Sequence, residues 1–312
     1  MSGPLILALE GSTGTCSAAL LEFRAEEDGE ESEPCWLSTR EIRDGRAHAR
    51  MLLRLADDVL TEMHATPRDL RAVVVGTGPG TFTGVRVTVA TARGMALALD
   101  VPIVGVSTLS ALAAAAAACA RSGGGLESLR RQGTVLVPVV DARRGQIFYA
   151  VYTSGTPGDE QWTRLGDICV CGPESLVERL ETALGPDSFG ARPISMLGES
   201  SVLAGVPPSP GLTRIETEAS ARWLLQGQAS LDEPAGVFGG NRLVSWLRGE
   251  RGKSSPWSAE RFPPGSRGTP EAAVPIYVRP PDADLHITKM RDPWGDERAG
   301  SSTGASGKVR GS

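Results

Sequence analysis

Leu5-Ile-Leu-Ala-Leu9, then Glu10-Gly-Ser-Thr-Gly14-Thr15, then Cys16-Ser-Ala-Ala-Leu-Leu-Glu-Phe23 read as an apolar strand, a tight turn and a second apolar strand. The same grammar returns at Val135-Leu-Val-Pro-Val-Val140, Asp141-Ala-Arg-Arg-Gly145 and Gln146-Ile-Phe-Tyr-Ala-Val-Tyr-Thr153. In both places an acid follows the first strand and a glycine opens the second, with the same spacing from Glu10 to Gly14 as from Asp141 to Gly145. The copies begin about 130 residues apart, a domain-sized period that predicts a duplicated fold.

Between the two hairpins the pattern alternates. Residues 46–63 place Met51, Leu52, Leu55, Val59 and Leu60 at helical spacing. Ala72-Val-Val-Val-Gly76 reads as a buried strand, residues 84–99 as a helix, residues 103–106 as a strand and residues 109–120 as an Ala-rich helix. Strand and helix in alternation mark an α/β domain with parallel pairing. Beyond the second hairpin, helices are expected over residues 173–184 and 217–225. The acids from Glu22 to Glu33 read as a solvated loop, residues 248–272 as a poorly ordered insertion, and residues 295–312 as a Gly/Ser tail.

Length and charge bound the function. The chain has 312 residues and a net charge of −5, so a direct grip on nucleic acid would need a local basic patch. The longest apolar run, residues 109–120, is too short for a bilayer core, and the start of the chain lacks the basic n-region of a signal peptide. The five cysteines are scattered; Cys169 and Cys171 share a strand face, but no second pair or nearby His completes a zinc site. A cytoplasmic protein with reduced thiols is the expectation.

The glycine-rich loop Thr77-Gly-Pro-Gly-Thr-Phe-Thr-Gly-Val-Arg86 sits where a strand becomes a helix. Its backbone N–H groups and helix dipole suit a phosphate, which nominates Gly78, Gly80 and Thr81 beside the turn acids Glu10 and Asp141. The loop matches neither Walker A nor G-x-G-x-x-G: Thr83 stands where the former needs Gly, and Gly84 is misplaced for the latter. The other reading is that the glycines let the turn pack tightly. Small residues Ala90, Gly94 and Ala98 follow at helical spacing, leaving a groove for a close helix from this chain or from another subunit.

The stretches Ile6-Leu-Ala-Leu-Glu10-Gly-Ser-Thr13, Gly78-Pro-Gly-Thr-Phe-Thr-Gly-Val-Arg86, Pro102-Ile-Val-Gly-Val-Ser-Thr108 and Asp141-Ala-Arg-Arg-Gly-Gln-Ile-Phe-Tyr149 resemble the TsaB (formerly YeaZ) family. This family supplies the bacterial accessory subunit for tRNA threonylcarbamoyladenosine synthesis. The resemblance covers residues 5–154 and resumes at Pro275-Ile-Tyr-Val-Arg-Pro-Pro-Asp282. It implies an α/β, duplicated actin-like ATPase/sugar-kinase fold with two subdomains. These are expected over residues 1–122, which carry the partner-binding helices, and 123–291, which carry the 248–272 insertion; a disordered tail is expected over 292–312. Glu10 departs from the Asp usual at this turn.

The catalytic relative, TsaD, holds a metal with a His-x-x-x-His pair, and the matching positions here are Thr108 and Leu112. The resemblance therefore implies a subunit with no catalytic residue, no metal and no cofactor of its own, with ATP or ADP only in the complex. It would bind TsaD and activate it for transfer of the threonylcarbamoyl group to the adenosine next to the anticodon. TsaE would be a third component, a homodimer would form when the chain is alone, and tRNA would be met through the partner. Leu53, Asp57, Arg86, Ala90 and Gly94 are the expected partner contacts. The alternative is an actin-like small-molecule kinase, with Glu10 and Asp141 near the phosphates, or an inactive glycopeptidase-like protein.

Overall fold

Leu5–Glu10 (β1) is buried along its whole length, as a strand covered on both faces must be. It turns through Gly11–Thr15 into Cys16–Glu22 (β2), pairing antiparallel from Leu5↔Glu22 to Glu10↔Ser17. Cys35–Ile42 (β3) extends the meander on the far side of β2. Leu70–Gly76 (β4) and Ile103–Val106 (β5) add on the other side of β1, both parallel to their neighbours. The first sheet is ordered β3-β2-β1-β4-β5.

The second sheet repeats that plan. Val135–Arg143 (β6), Gln146–Ser154 (β7) and Trp162–Cys171 (β8) form an antiparallel meander. Ile194–Gly198 (β9) and Leu212–Glu216 (β10) then add in parallel beside β6. A short Leu231–Asp232 (β11) pairs outside β8, giving the order β10-β9-β6-β7-β8-β11. Without β11 the two sheets share one strand order and one set of strand senses, which is the duplication that the matched hairpins predict.

The computed structural model describes residues 4–22, 35–43, 48–121, 129, 133–154, 162–185, 189, 192–224, 231–232, 273 and 275–276. The acidic stretch beyond Glu22, the 248–272 insertion, the 292–312 tail and His286 lie outside the described residues. Both sheets belong to one compact unit, Met1–Val278.

His48–Glu62 (α1) and Phe82–Leu99 (α2) cover one face of the first sheet. Leu52, Leu55, Val59, Val85, Val89 and Ala92 meet Leu5, Leu7, Leu9, Val73 and Val75 there. The end of α1 is tied to β3: the Glu62 carboxylate accepts the Ser38 hydroxyl and pairs with Arg40 at 2.9 Å.

Thr108–Arg121 (α3) explains its own composition. Leu109, Leu112, Ala113 and Ala116 pack on Leu136, Phe148, Tyr152 and Leu197 of the second sheet, while Ala111 packs on Ile6, Ala8, Val74 and Val104 of the first. A helix buried on both sides needs small apolar residues all round. The exchange is reciprocal, because Ala221 and Leu224, which follow the second sheet, pack on that same face of the first.

Leu176–Leu184 (α4) covers the other face of the second sheet, and Ser200–Ala204 (α5) follows β9. Of the helix expected over residues 217–225, the described residues 217–224 are helical only at 221–224. Thr217 instead donates to the Gly198 carbonyl, and the Ala221 N–H goes to the Ser17 hydroxyl at 2.9 Å. These tertiary bonds outcompete the first helical turn. The second hairpin also reverses later than its sequence suggests: β6 runs to Arg143, and Arg144 and Gly145 make the turn with φ of 56° and 72°. Ala273 and Ile276, counted with the second copy by sequence, sit on the first sheet; Ile276 donates to the Thr77 carbonyl at 2.8 Å. No described helix is long and apolar enough to cross a membrane.

Candidate partner-docking face and the turn beneath it

The glycine loop is the link between β4 and α2, and it is seated on the β1–β2 turn. Thr81 donates its N–H to the Ser12 carbonyl at 2.7 Å, and Thr108 donates to the Gly78 carbonyl at 2.7 Å. A Cβ at Gly80 would lie 2.7 Å from the Ser12 carbonyl carbon and closer still to its oxygen. A Cβ at Gly84 would fall inside the Gly11 carbonyl oxygen's contact radius and 2.5 Å from Thr81 Oγ1. Both glycines are therefore places where backbone meets backbone. Of the two readings open in the sequence, this geometry is the one in which the turn packs tightly.

From that seat α2 rises with two faces. Val85, Thr88, Val89, Ala92 and Ala96 are buried against the sheet, and the Thr88 hydroxyl bonds the Gly84 carbonyl at 2.8 Å. The opposite face exposes Phe82, Arg86, Ala90, Gly94 and Leu97 at steps of one helical turn. The Arg86 guanidinium stacks 3.6 Å above the Phe82 ring. On the adjacent helix α1, Leu53 and Asp57 are exposed. All five residues nominated as partner contacts thus lie on the outer surface of two neighbouring helices.

Phe82 and Leu97 extend this face and were not nominated. Their signal lay in the stripe Arg86, Ala90, Gly94, which one turn back reaches Phe82 and one turn on reaches Leu97. The described residues expose four large apolar side chains, and three belong to these helices: Leu53 at 56%, Phe82 at 40% and Leu97 at 74%.

The residues nominated for phosphate contact are placed differently. Gly78 is buried with φ +88°, and Gly80 and Thr81 are half-buried against the turn. Asp141 lies in the second hairpin, where Oδ1 accepts the Arg143 N–H at 2.6 Å and Oδ2 pairs with the Arg143 guanidinium at 3.1 Å. Glu10 is 0% exposed. Burial pushes its carboxyl pKa up, against the pull of Ser12, the Gly11 N–H and Thr108. The neighbouring Cys16 thiol is pushed up to about 11 by its own burial and then by Glu10. Thr108 therefore serves Glu10, and Leu112 lies in the apolar layer against the second sheet.

A group raised in the folded state supports folding below its unfolded pKa and loses that support as pH climbs toward the folded value. Glu10→Gln keeps an oxygen for the turn N–H groups and does not ionise. Its melting temperature is expected to track wild type below pH 4.5 and to exceed it increasingly toward neutral pH. Thermal melts of both proteins across pH check this; a constant offset would show that Glu10 titrates alike in the folded and unfolded chain.

Comparisons with known proteins agree with this architecture. An uncharacterized protein with similarity to peptidase YEAZ from Pseudomonas aeruginosa shares the fold, with a TM-score of 0.58 and 24% identity over 88% of this chain and all of that one. YeaZ from Pseudomonas aeruginosa gives 0.57 and 23% over 88% of this chain and 99% of its own. Residues 43–181 match the model of the TsaD family, tRNA N6-adenosine threonylcarbamoyltransferase. The tRNA threonylcarbamoyladenosine biosynthesis protein TsaB of Escherichia coli K12 is 32% identical over 181 residues, 58% of this chain and 68% of that protein. With that identity over two thirds of the relative, on a fold shared with YeaZ, the chain belongs to the TsaB family.

Proposed function

We propose that this chain is a non-catalytic subunit of the machinery that makes threonylcarbamoyladenosine in tRNA, and that it binds and activates a TsaD-type transferase through α1 and α2. The observation that carries the reading is Gly94. It sits in the middle of α2, exposed, with nothing within 4 Å of where a Cβ would be. Glycine there costs a free helix about 1 kcal/mol relative to alanine. The fold itself has no use for it, whereas a helix docking closely from outside does.

The stretch that matches the TsaD model includes both α1 and α2. A TsaD partner would then offer related helices, and the two pairs would pack face to face. The same logic gives a homodimer in the absence of the partner. ATP or ADP belongs to the complex, with TsaE as a third component, tRNA is held by the partner, and the setting is the cytoplasm.

The test is reconstitution. Purified chain and TsaD from the same organism should co-elute, and transfer of the threonylcarbamoyl group to tRNA should fall at least tenfold when this chain is omitted. Separate elution in every nucleotide state, with transfer unaffected by the omission, refutes the proposal. ATP hydrolysis by the chain alone that vanishes in Asp141→Ala would favour the kinase reading instead.

A further inference from the structure

The Glu10 side chain folds back onto the turn that it opens. Its Oε1 accepts the N–H groups of Gly11 at 2.9 Å and Ser12 at 2.7 Å, and its Oε2 accepts the Thr108 hydroxyl at 3.3 Å. Two successive backbone N–H groups converging on one oxygen make an anion-binding concavity. The donors lie at the carboxyl ends of β1 and β5, the end of an open α/β sheet where ligands bind.

The remaining walls are shaped to the carboxyl group. Gly76 closes one side: a Cβ there would sit 2.5 Å from Glu10 Cδ, so only glycine leaves room. The Ser12 hydroxyl is fully buried beside the carboxyl group, and its Oγ has no partner in hydrogen-bonding geometry. In the matched turn of the second sheet the Asp141 carboxylate accepts the Arg143 N–H and pairs with the Arg143 guanidinium, and it stays partly in solvent. Both acids fold back onto their turns, but only Glu10 is enclosed.

We propose that the β1–β2 turn is a carboxyl-binding site kept occupied by the chain's own Glu10 side chain, and that a small carboxylic acid takes its place once that side chain is removed. The Glu10 side chain beyond Cα is, atom for atom, a propionate. Glu10→Gly therefore leaves a space of that size, lined by the Gly11 and Ser12 N–H groups and the Thr108 and Ser12 hydroxyls. In the native chain the turn accepts no external anion. This inference does not depend on the TsaD partner, and its test omits that protein.

Full-length wild type and Glu10→Gly are melted at about pH 5, where part of the propionate is protonated, with increasing sodium propionate against sodium chloride at equal ionic strength. The variant should gain stability with the logarithm of propionate concentration, by about 3 °C at tenfold the dissociation constant. Wild type and Glu10→Gln should respond to neither salt specifically. A folded Glu10→Gly indifferent to propionate, or a wild type that responds equally, overturns the proposal. Should Glu10→Gly be unfolded in chloride, recovery of its near-UV circular dichroism by propionate supports the site. Failure to recover it, with Glu10→Gln native, overturns it.

Discussion

Gly94→Glu is expected to abolish association with TsaD while leaving the free chain as stable as wild type, or slightly more so. The two effects have separate causes. In the free chain position 94 is exposed and its surroundings are empty, so the new side chain meets no obstacle. Glutamate is a good helix former, and replacing a mid-helix glycine gains about 0.5–1 kcal/mol. In the complex the same position would lie between helices whose axes are about 8–10 Å apart. A carboxylate trapped there loses its water without gaining a partner, at a cost of several kcal/mol. Affinity should fall by more than 100-fold, since each ~1.4 kcal/mol is a factor of ten. Titration calorimetry with TsaD, paired with thermal melts of the free protein, separates the two effects. Undiminished binding would remove α2 from the interface.

Apolar runs bounded by turn residues made most of this fold legible, and the failures have physical causes. The hairpin strands, β4 and β5 are apolar runs, α1 has helical spacing, α2 follows a glycine turn and α3 is Ala-rich, and the structure places them within a few residues of their expected bounds. β9, an inner strand of the second sheet, has no reading in the sequence, and β3 and β10 were missed as well. Both form a sheet edge, and Trp36-Leu-Ser-Thr-Arg-Glu41 and Leu212-Thr-Arg-Ile-Glu216 carry the polar residues that such strands tolerate. Their pairing comes from neighbours distant in sequence. The docking face was legible only in part, because the spacing of Ala90 and Gly94 marked a stripe without saying whether it faced in or out. Glu10 was the least legible residue. The sequence nominates it as a turn acid for phosphate contact, and its burial depends on Gly76 and Thr108, which reach it only through the fold.

Gly84→Ala provides the counterpart to Gly94, in the first turn of the same helix and with the opposite sign. The methyl group added at position 84 would collide with the Gly11 carbonyl oxygen and lie 2.5 Å from Thr81 Oγ1. Neither side can yield cheaply. Gly11 is held because its own N–H is bonded to Glu10 Oε1 at 2.9 Å. The helix is held because Val85, Val89 and Ala92 are packed against β1 and β4 on its inner face. Overpacking of this kind costs about 1–3 kcal/mol, and a backbone obstacle places it toward the upper end. The melting temperature should fall by roughly 5–10 °C, whereas Gly94→Ala should raise it by a degree or two. Helix propensity alone predicts the same small gain at both positions, so the difference between them measures the contact of α2 with the turn. A neutral Gly84→Ala would mean that the helix does not rest on Gly11. Because that seat sets where Phe82 and Arg86 emerge, Gly84→Ala should also weaken TsaD binding despite lying out of the partner's reach. Gly94→Ala, adding one methyl at the proposed crossing point, should weaken that binding while stabilising the chain.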